Sequence, residues 1–230
     1  NPLLWLLGAS VQVLSVAGTR VRLHISLILF VGLALLMGIS DEFTMPHRLV
    51  SMAALVVCLV LHELAHCFAT RALGGFADEA LLWPLGGLAD WQYPHRPGLA
   101  FVSVAAGPAL NLAIAAAAAG VLFGVYRVEV PFSPHASLLA PGDWSQAQFY
   151  LWYLYIVSYL LLLVNLLPVL PLDGAHLLQT LLWPTLGYGK SLLVTCNIGI
   201  GSAVVIGGYG IYSSEWILIF AMIACMAFCV

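Results

Sequence analysis

The chain has 230 residues, of which 63% are hydrophobic and only 7% are charged, and its mean hydropathy is +1.04. A soluble domain carries about 25% charged residues, so this composition predicts a polytopic membrane protein surrounded by the lipid bilayer. The net charge of −3 is small and no basic tract is present, which excludes nucleic acid as an expected partner.

The apolar segments predict an all-α polytopic membrane protein with about six transmembrane helices in a single domain spanning residues 1–230. A small membrane-associated β structure is expected before the first span, over residues 1–24, because apolar and polar residues alternate on both sides of Gly18-Thr19. The predicted spans are residues 25–39, 49–73, 98–126, 148–167, 191–212 and 215–230.

The second predicted span carries His62, Glu63 and His66 inside an apolar run. Residues four apart on a helix share a face, so both histidines can direct a ring nitrogen at one metal ion. Glu63 lies about 100° further round the helix, where it can reach a water on that metal without being a ligand. Each ionisable side chain in a membrane helix costs about 2 kcal/mol or more, which favours a functional site over buried polar residues that only satisfy one another.

Residues 76–97 predict a hairpin that dips into the membrane, because two short apolar pieces flank Gly86-Gly87. Protein or a wet cavity must cover such backbone, since lipid cannot satisfy its polar groups. An exposed strand edge there can pair with an extended peptide, and the alternative is a purely structural turn. In the third span, Gly107-Pro108 and Asn111 predict a close helix contact and an interhelical hydrogen bond.

Asp173 follows two prolines, Pro168 and Pro171, that interrupt the apolar region after the fourth span. Proline breaks a helix, which makes room around the carboxylate, and an aspartate at this depth needs a partner. Two histidines and one carboxylate form a usual catalytic zinc site with a fourth position left for water. We therefore predict that Asp173 is the third metal ligand, with His176 as a rival that is more simply explained as a supporting or interfacial residue.

The basic residues predict the orientation of the chain in the membrane. With six spans both termini share a side, and that side carries five basic residues, whereas Arg48 and Arg127 lie on the other side. The positive-inside rule then predicts that both termini are cytoplasmic. The five residues are Arg20, Arg22, Arg71, Arg96 and Lys190.

His-Glu-Leu-Ala-His at residues 62–66, followed by Asn165-x-x-Pro-x-x-Pro-Leu-Asp-Gly at residues 165–174, resembles the site-2 protease family of intramembrane zinc metalloproteases. The Gly-Thr-Arg-Val-Arg-Leu-His start of the first span, the Gly86-Gly87 hairpin and the Gly-Pro-x-x-Asn of the third span extend the resemblance over most of the chain. It implies Zn2+ held by His62, His66 and Asp173, with Glu63 as the catalytic glutamate. It further implies that Asn165 holds the substrate backbone or polarises the scissile carbonyl.

The resemblance implies an intramembrane zinc metalloendopeptidase of a bacterial or archaeal cell membrane. Its expected substrate is a single-span membrane protein, cut within or near its transmembrane segment by zinc-bound water with Glu63 as general base. No PDZ or CBS domain is evident, so we expect either a minimal member of the family or a piece of a longer chain. Two alternatives stay open: a membrane metal transporter that uses the same ligands, and an inactive binder of membrane helices. The sequence does not indicate the substrate or the oligomeric state.

Overall fold

The computed structural model describes residues 9–37, 44–84, 86–87, 92–132 and 144–212. The helices are α1 (Ile25–Leu36), α2 (Thr44–Ala72), α3 (Pro97–Gly124), α4 (Gln146–Asn165), α5 (Asp173–Leu186) and α6 (Tyr188–Tyr212). The strands are β1 (Ser10–Val16), β2 (Thr19–His24), β3 (Glu79–Trp83) and β4 (Gly86–Gly87). The last predicted span, residues 215–230, lies outside the described residues.

Four of these helices, α2, α3, α4 and α6, are long and apolar enough to cross a membrane. They overlap the predicted spans 49–73, 98–126, 148–167 and 191–212. Helix α1 has 12 residues and rises only about 18 Å, less than the hydrocarbon thickness of about 30 Å. The expected class, an integral membrane protein with a small β element, is confirmed.

Helix α5 is not predicted from the sequence. Pro184 lies inside its last turn, and Pro168 and Pro171 precede it. Because proline interrupts helices, the sequence of this segment does not indicate a helix. The helix forms because its prolines lie ahead of its first turn and near its end, where few backbone hydrogen bonds are lost. The consequence is that Asp173 is the first residue of a new helix, with residues 166–172 as the connection from α4.

Helix α2 lies between the helical core and the sheet. On one side, Leu59 and Cys67 pack with Val21 of β2 and Leu82 of β3 in a buried cluster. On the other side α2 contacts α3 and α4, which pack against each other through Ala118 and other small and aromatic residues. Small residues on α3 permit this close approach. The helix that carries His62 is thus held from both sides.

The two predicted β regions form one four-stranded sheet in the order β1-β2-β3-β4. The outer pairs are antiparallel, whereas β2 and β3 are parallel, with Arg20 opposite Glu79 and Leu23 opposite Leu82. Arg20 and Asp78 form an ion pair of 2.9 Å beside this join. The local alternation of apolar and polar residues predicts a strand, but it does not predict the parallel pairing, which joins segments far apart in the chain.

The hairpin expected over residues 76–97 includes the antiparallel pair β3–β4, but Gly86-Gly87 lies in one of its strands and not between the two strands. Trp83 pairs with Gly86 and Leu82 pairs with Gly87, so the chain reverses before the two glycines. The glycines form strand β4 instead. Glycine is needed in this strand because a side chain there would have no room beside Glu63 and Asn165.

Candidate metal centre

The α-helical periodicity of α2 brings two imidazoles together. His62 and His66 are 1% and 0% exposed, and their Nε2 atoms lie 3.1 Å apart. Their rings meet edge to face with centroids 4.8 Å apart. This is the arrangement expected from residues four apart on one helix face, and it leaves both Nε2 atoms directed at a common point.

Helix α3 supports both histidines from behind. His66 Nδ1 donates to the carbonyl oxygen of Ser103 over 2.9 Å, and the Asn111 side-chain amide lies 3.0 Å from His62 Nδ1. Between them is Gly107, where a Cβ atom would overlap His66 Nε2 and lie 2.7 Å from His62 Cε1. The helices can approach this closely only because residue 107 has no side chain.

The contacts of α3 were only partly predicted. The expected interhelical hydrogen bond of Asn111 exists, but its partner, His62, was not foreseen, nor was the carbonyl of Ser103. A signal was present in the sequence. Ser103, Gly107 and Asn111 are spaced by four residues, as the two histidines are, so the two stripes match when the helices pack side by side.

Asp173 completes the group from the other side of the site. Its Oδ2 lies 3.0 Å from His62 Nε2, and its Oδ1 lies 3.3 Å from His66 Nε2. The next residue, Gly174, packs against backbone of the connection, and a Cβ atom there would overlap the carbonyl oxygen of Leu166. The carboxylate therefore reaches the histidines because α5 begins in direct contact with the end of α4.

The donor set fits a zinc ion. A tetrahedral zinc site with bonds of 2.0–2.1 Å has ligand atoms about 3.3 Å apart, close to the separations of the two nitrogens and the carboxylate oxygens. Two imidazoles and a carboxylate are the ligands of many catalytic zinc sites. Within the described part of the chain, His62, His66 and Asp173 are the one group of three or more such side chains so placed, and His176 is not part of it.

Strand β4 passes over the two residues predicted to be catalytic. Glu63 and Asn165 are both 2% exposed. A Cβ atom on Gly87 would overlap the Glu63 carboxylate, and one on Gly86 would lie 2.9 Å from Asn165 Oδ1. Asn165 Nδ2 donates to the carbonyl oxygen of Leu161 over 3.0 Å, which fixes the amide beside the strand. Backbone without side chains therefore lies directly against both groups.

An apolar cavity of about 500 Å³ adjoins this strand. It lies between α1, α2 and α4, and its lining includes Pro84, just before β4, and Val164, just before Asn165. Its polar lining residues include His47 and Arg48, from the first turns of α2. His47 Nδ1 and the Tyr153 hydroxyl are hydrogen-bonded at 2.8 Å, which ties α2 to α4 there.

Comparison with known proteins identifies relatives of this chain. Residues 127–205, which include Asn165 and Asp173, match the model of peptidase family M50. Over 91% of its length the chain is 28% identical to a zinc metalloprotease of Methanocaldococcus jannaschii. It is 33% identical over 65% of its length to Rip3 of Mycobacterium tuberculosis, whose name assigns it to the zinc metalloproteases.

The fold is also that of a solved structure. The site-2 protease from Methanocaldococcus jannaschii superimposes with a TM-score of 0.71 and 26% identity, covering 96% of this chain and 94% of that one. The chain spans 56% of the length of the archaeal zinc metalloprotease and 33% of the length of Rip3.

Proposed function

Because the chain belongs to peptidase family M50, the site-2 proteases, we propose that it hydrolyses a peptide bond within or near the transmembrane segment of a single-span membrane protein. The observation that carries this proposal is the buried group of His62, His66 and Asp173 with Glu63 adjacent to it on a membrane helix. Four ionisable side chains at this depth are costly, and a catalytic metal site accounts for all four.

Each residue has a distinct role in the proposed reaction. His62, His66 and Asp173 would hold zinc, which would supply Lewis-acid chemistry and lower the pKa of water toward about 7. Glu63 takes the proton of the attacking water and then gives it to the leaving amine, acting first as base and then as acid. Burial favours this role, because the carboxylate works where little bulk water competes for the proton.

Asn165 is proposed to stabilise the oxyanion that develops on the scissile carbonyl. One N–H of its amide is held by the Leu161 carbonyl, which orients the group and leaves the other N–H for the substrate. A single oxyanion donor of this kind contributes about 3 kcal/mol in other hydrolases. Its position against Gly86 supports the role, because a strand paired with β4 passes close to both Asn165 and Glu63.

The substrate is proposed to bind as an extended strand against β4. Within the described residues β4 pairs only with β3, so its other edge has backbone groups for a further strand. A substrate helix must unwind to bind there, since its carbonyls are otherwise occupied by helical hydrogen bonds. The apolar cavity next to Pro84 offers room for the apolar side chains that flank the unwound segment.

The cellular setting is part of the proposal. We propose a bacterial or archaeal cell membrane, as in the organisms of the relatives, with both termini cytoplasmic. The distribution of basic residues in the sequence supports this orientation. Helices α2 and α4 then both run inwards, so that His62, towards the end of α2, and Asn165, at the end of α4, meet in the cytoplasmic half of the membrane.

The test compares the native chain with Glu63→Gln and a matched control, Glu79→Gln. Glu79 is the first residue of β3, its carboxylate pairs with Arg22 at 3.2 Å, and it lies at the opposite end of β3 from Leu82 and Trp83, which pair with β4. The full chain is purified in detergent, its zinc content is measured, and it is incubated with single-span segments that contain helix-breaking residues. We expect Glu63→Gln to lose cleavage by about 10²- to 10⁴-fold while it keeps about one zinc per chain. Glu79→Gln should cleave normally.

Two outcomes would contradict the proposal. Cleavage that persists in Glu63→Gln would remove the general base from the mechanism. Zinc flux into liposomes that survives Glu63→Gln, without cleavage by the native chain, would favour the transporter, because a transit site needs ligands but no base.

A further inference from the structure

Asn111 is a buried amide that contacts one of the candidate ligands. Its side chain is fully buried on α3, with the Nδ2 position 3.0 Å from His62 Nδ1 and the Oδ1 position at the other end of the amide. The other polar atom of the same amide has no hydrogen-bond partner among the described residues. A buried polar atom without a partner costs about 1–3 kcal/mol, so retaining an amide here requires a compensating gain.

The chemistry of imidazole shows what that gain is. A neutral imidazole has one N–H and one lone pair, and a histidine that binds a metal through Nε2 must carry its proton on Nδ1. An NH2 group facing His62 Nδ1 can only donate, which would force the proton onto Nε2, where it would point at the metal position. An amide oxygen facing Nδ1 accepts the Nδ1 proton and leaves the Nε2 lone pair free.

The oxygen and nitrogen of an amide have nearly the same shape, so one side-chain position accommodates both orientations. Either orientation leaves one atom of Asn111 without a partner, so the number of hydrogen bonds does not decide between them. The orientation is decided by His62, which needs an acceptor at Nδ1 to bind a metal through Nε2. We infer that Asn111 is a positioning residue whose Oδ1 accepts the Nδ1 proton of His62 and fixes this imidazole for metal binding through Nε2. This inference rests on the proposed zinc site.

His66 has the equivalent support from the same helix. Its Nδ1 donates to the Ser103 carbonyl oxygen, which can only accept and therefore places the lone pair on Nε2. Helix α3 thus gives both histidines the same tautomer, through Ser103 and through Asn111. The two supports differ in one respect, because a substitution at residue 103 keeps the backbone carbonyl, whereas a substitution at residue 111 removes the acceptor.

The experiment measures zinc affinity of the purified full chain by competition with a chelator. Asn111→Leu has a similar size and no hydrogen-bonding group, and we expect its affinity to fall about 10- to 100-fold. Asn111→Asp can only accept at this position, so we expect an affinity equal to or above that of the native chain. After cobalt replaces zinc, Asn111→Asp should keep the native absorption band and Asn111→Leu should shift it.

The matched control is Ser158→Ala. Ser158 shares a buried 3.2 Å hydrogen bond with Cys58, one turn before His62 on α2, so its loss perturbs the same helix without contacting the ligands. Its zinc affinity should stay within about twofold of the native value, as expected for independent sites. This variant separates a general loss of packing from a loss of histidine orientation.

Two results would overturn the inference. An Asn111→Leu chain that binds zinc as tightly as the native chain would show that His62 needs no acceptor. An Asn111→Asp chain whose affinity falls like that of Asn111→Leu would show that the amide donates. If Asn111→Leu does not fold, Asn111→Asp still decides between acceptor and donor, because only a required donor predicts a loss of zinc affinity there. A native chain that binds no zinc would instead refute the proposed function.

Discussion

The two halves of the candidate site are built in different ways. His62 and His66 lie on one continuous helix and are backed by a second regular helix, α3, so their separation is set by helical periodicity. Asp173 lies at the start of α5, after a connection that has no helical or strand structure. The first half is fixed by local geometry, whereas the second depends on how the connection packs.

The surrounding helices show the same contrast. In the apolar windows of α2, α3 and α4, 33%, 39% and 39% of the residues are buried, whereas only 22% are buried in α6. Helix α6 packs on the connection in a buried cluster of Val169, Leu172 and Ala203, which Trp83 of β3 joins. Because fewer of its residues are buried, the carboxylate half of the site has less support than the histidine half.

Gly107→Ala tests the histidine half and should have the largest effect. The added methyl group would overlap His66 Nε2, and the surrounding helices are too closely packed to move away cheaply. We expect zinc binding to fall by at least about 100-fold, with cleavage lost in parallel. The measurement is zinc content after dialysis, together with chelator competition.

The control for this variant is Gly120→Ala in the same helix, where nothing lies within 4 Å of the new methyl group. It should keep native zinc binding and gain up to about 1 kcal/mol of stability, since alanine is the better helix former. Native zinc binding by Gly107→Ala would show that the contact between α2 and α3 does not set the ligand geometry.

Gly174→Ala tests the carboxylate half and should have an intermediate effect. The methyl group would overlap the carbonyl oxygen of Leu166, so α5 must shift and carry Asp173 with it. We expect zinc affinity to fall about 10- to 100-fold, less than for Gly107→Ala, because the connection can adjust more easily than two packed helices. Chelator competition measures the loss.

Gly189→Ala, whose methyl group would have no neighbour within 4 Å, is the control at the start of α6. It should bind zinc with native affinity. If zinc affinity falls further in Gly174→Ala than in Gly107→Ala, the comparison is reversed, and the carboxylate half of the site is the more rigid one.

The sequence predicts the histidine half better than the carboxylate half for the same physical reason. The positions of His62, Glu63 and His66 on one helix follow from spacing, which is local. The approach of Asp173 to the histidines was inferred from the cost of a buried carboxylate, but that inference gives no geometry. The α5 helix and the parallel β2–β3 pairing depend on contacts between distant segments, and local patterns do not encode them.

Strand β4 illustrates the same limit. Gly86-Gly87 has the composition of a turn, and glycine is common in turns because it tolerates unusual backbone angles. At Gly87 the requirement is instead the absence of a side chain beside Glu63. A sequence pattern does not distinguish these two uses of glycine, because the difference lies in what approaches the backbone from another element.

Gly199→Ala tests how far α6 supports the connection, residues 166–172, and should have the smallest effect on zinc affinity. A methyl group on Gly199 would lie 3.2 Å from the Pro168 carbonyl oxygen, a tight contact that a small shift of α6 relieves. We expect zinc affinity to fall less than about tenfold, because α6 has few buried contacts to resist the shift. Gly201→Ala, with nothing within 4 Å of its methyl group, should bind zinc as the native chain does. A loss for Gly199→Ala as large as that for Gly174→Ala would mean that α6 holds the connection rigidly, and the carboxylate half would then be as firmly fixed as the histidine half.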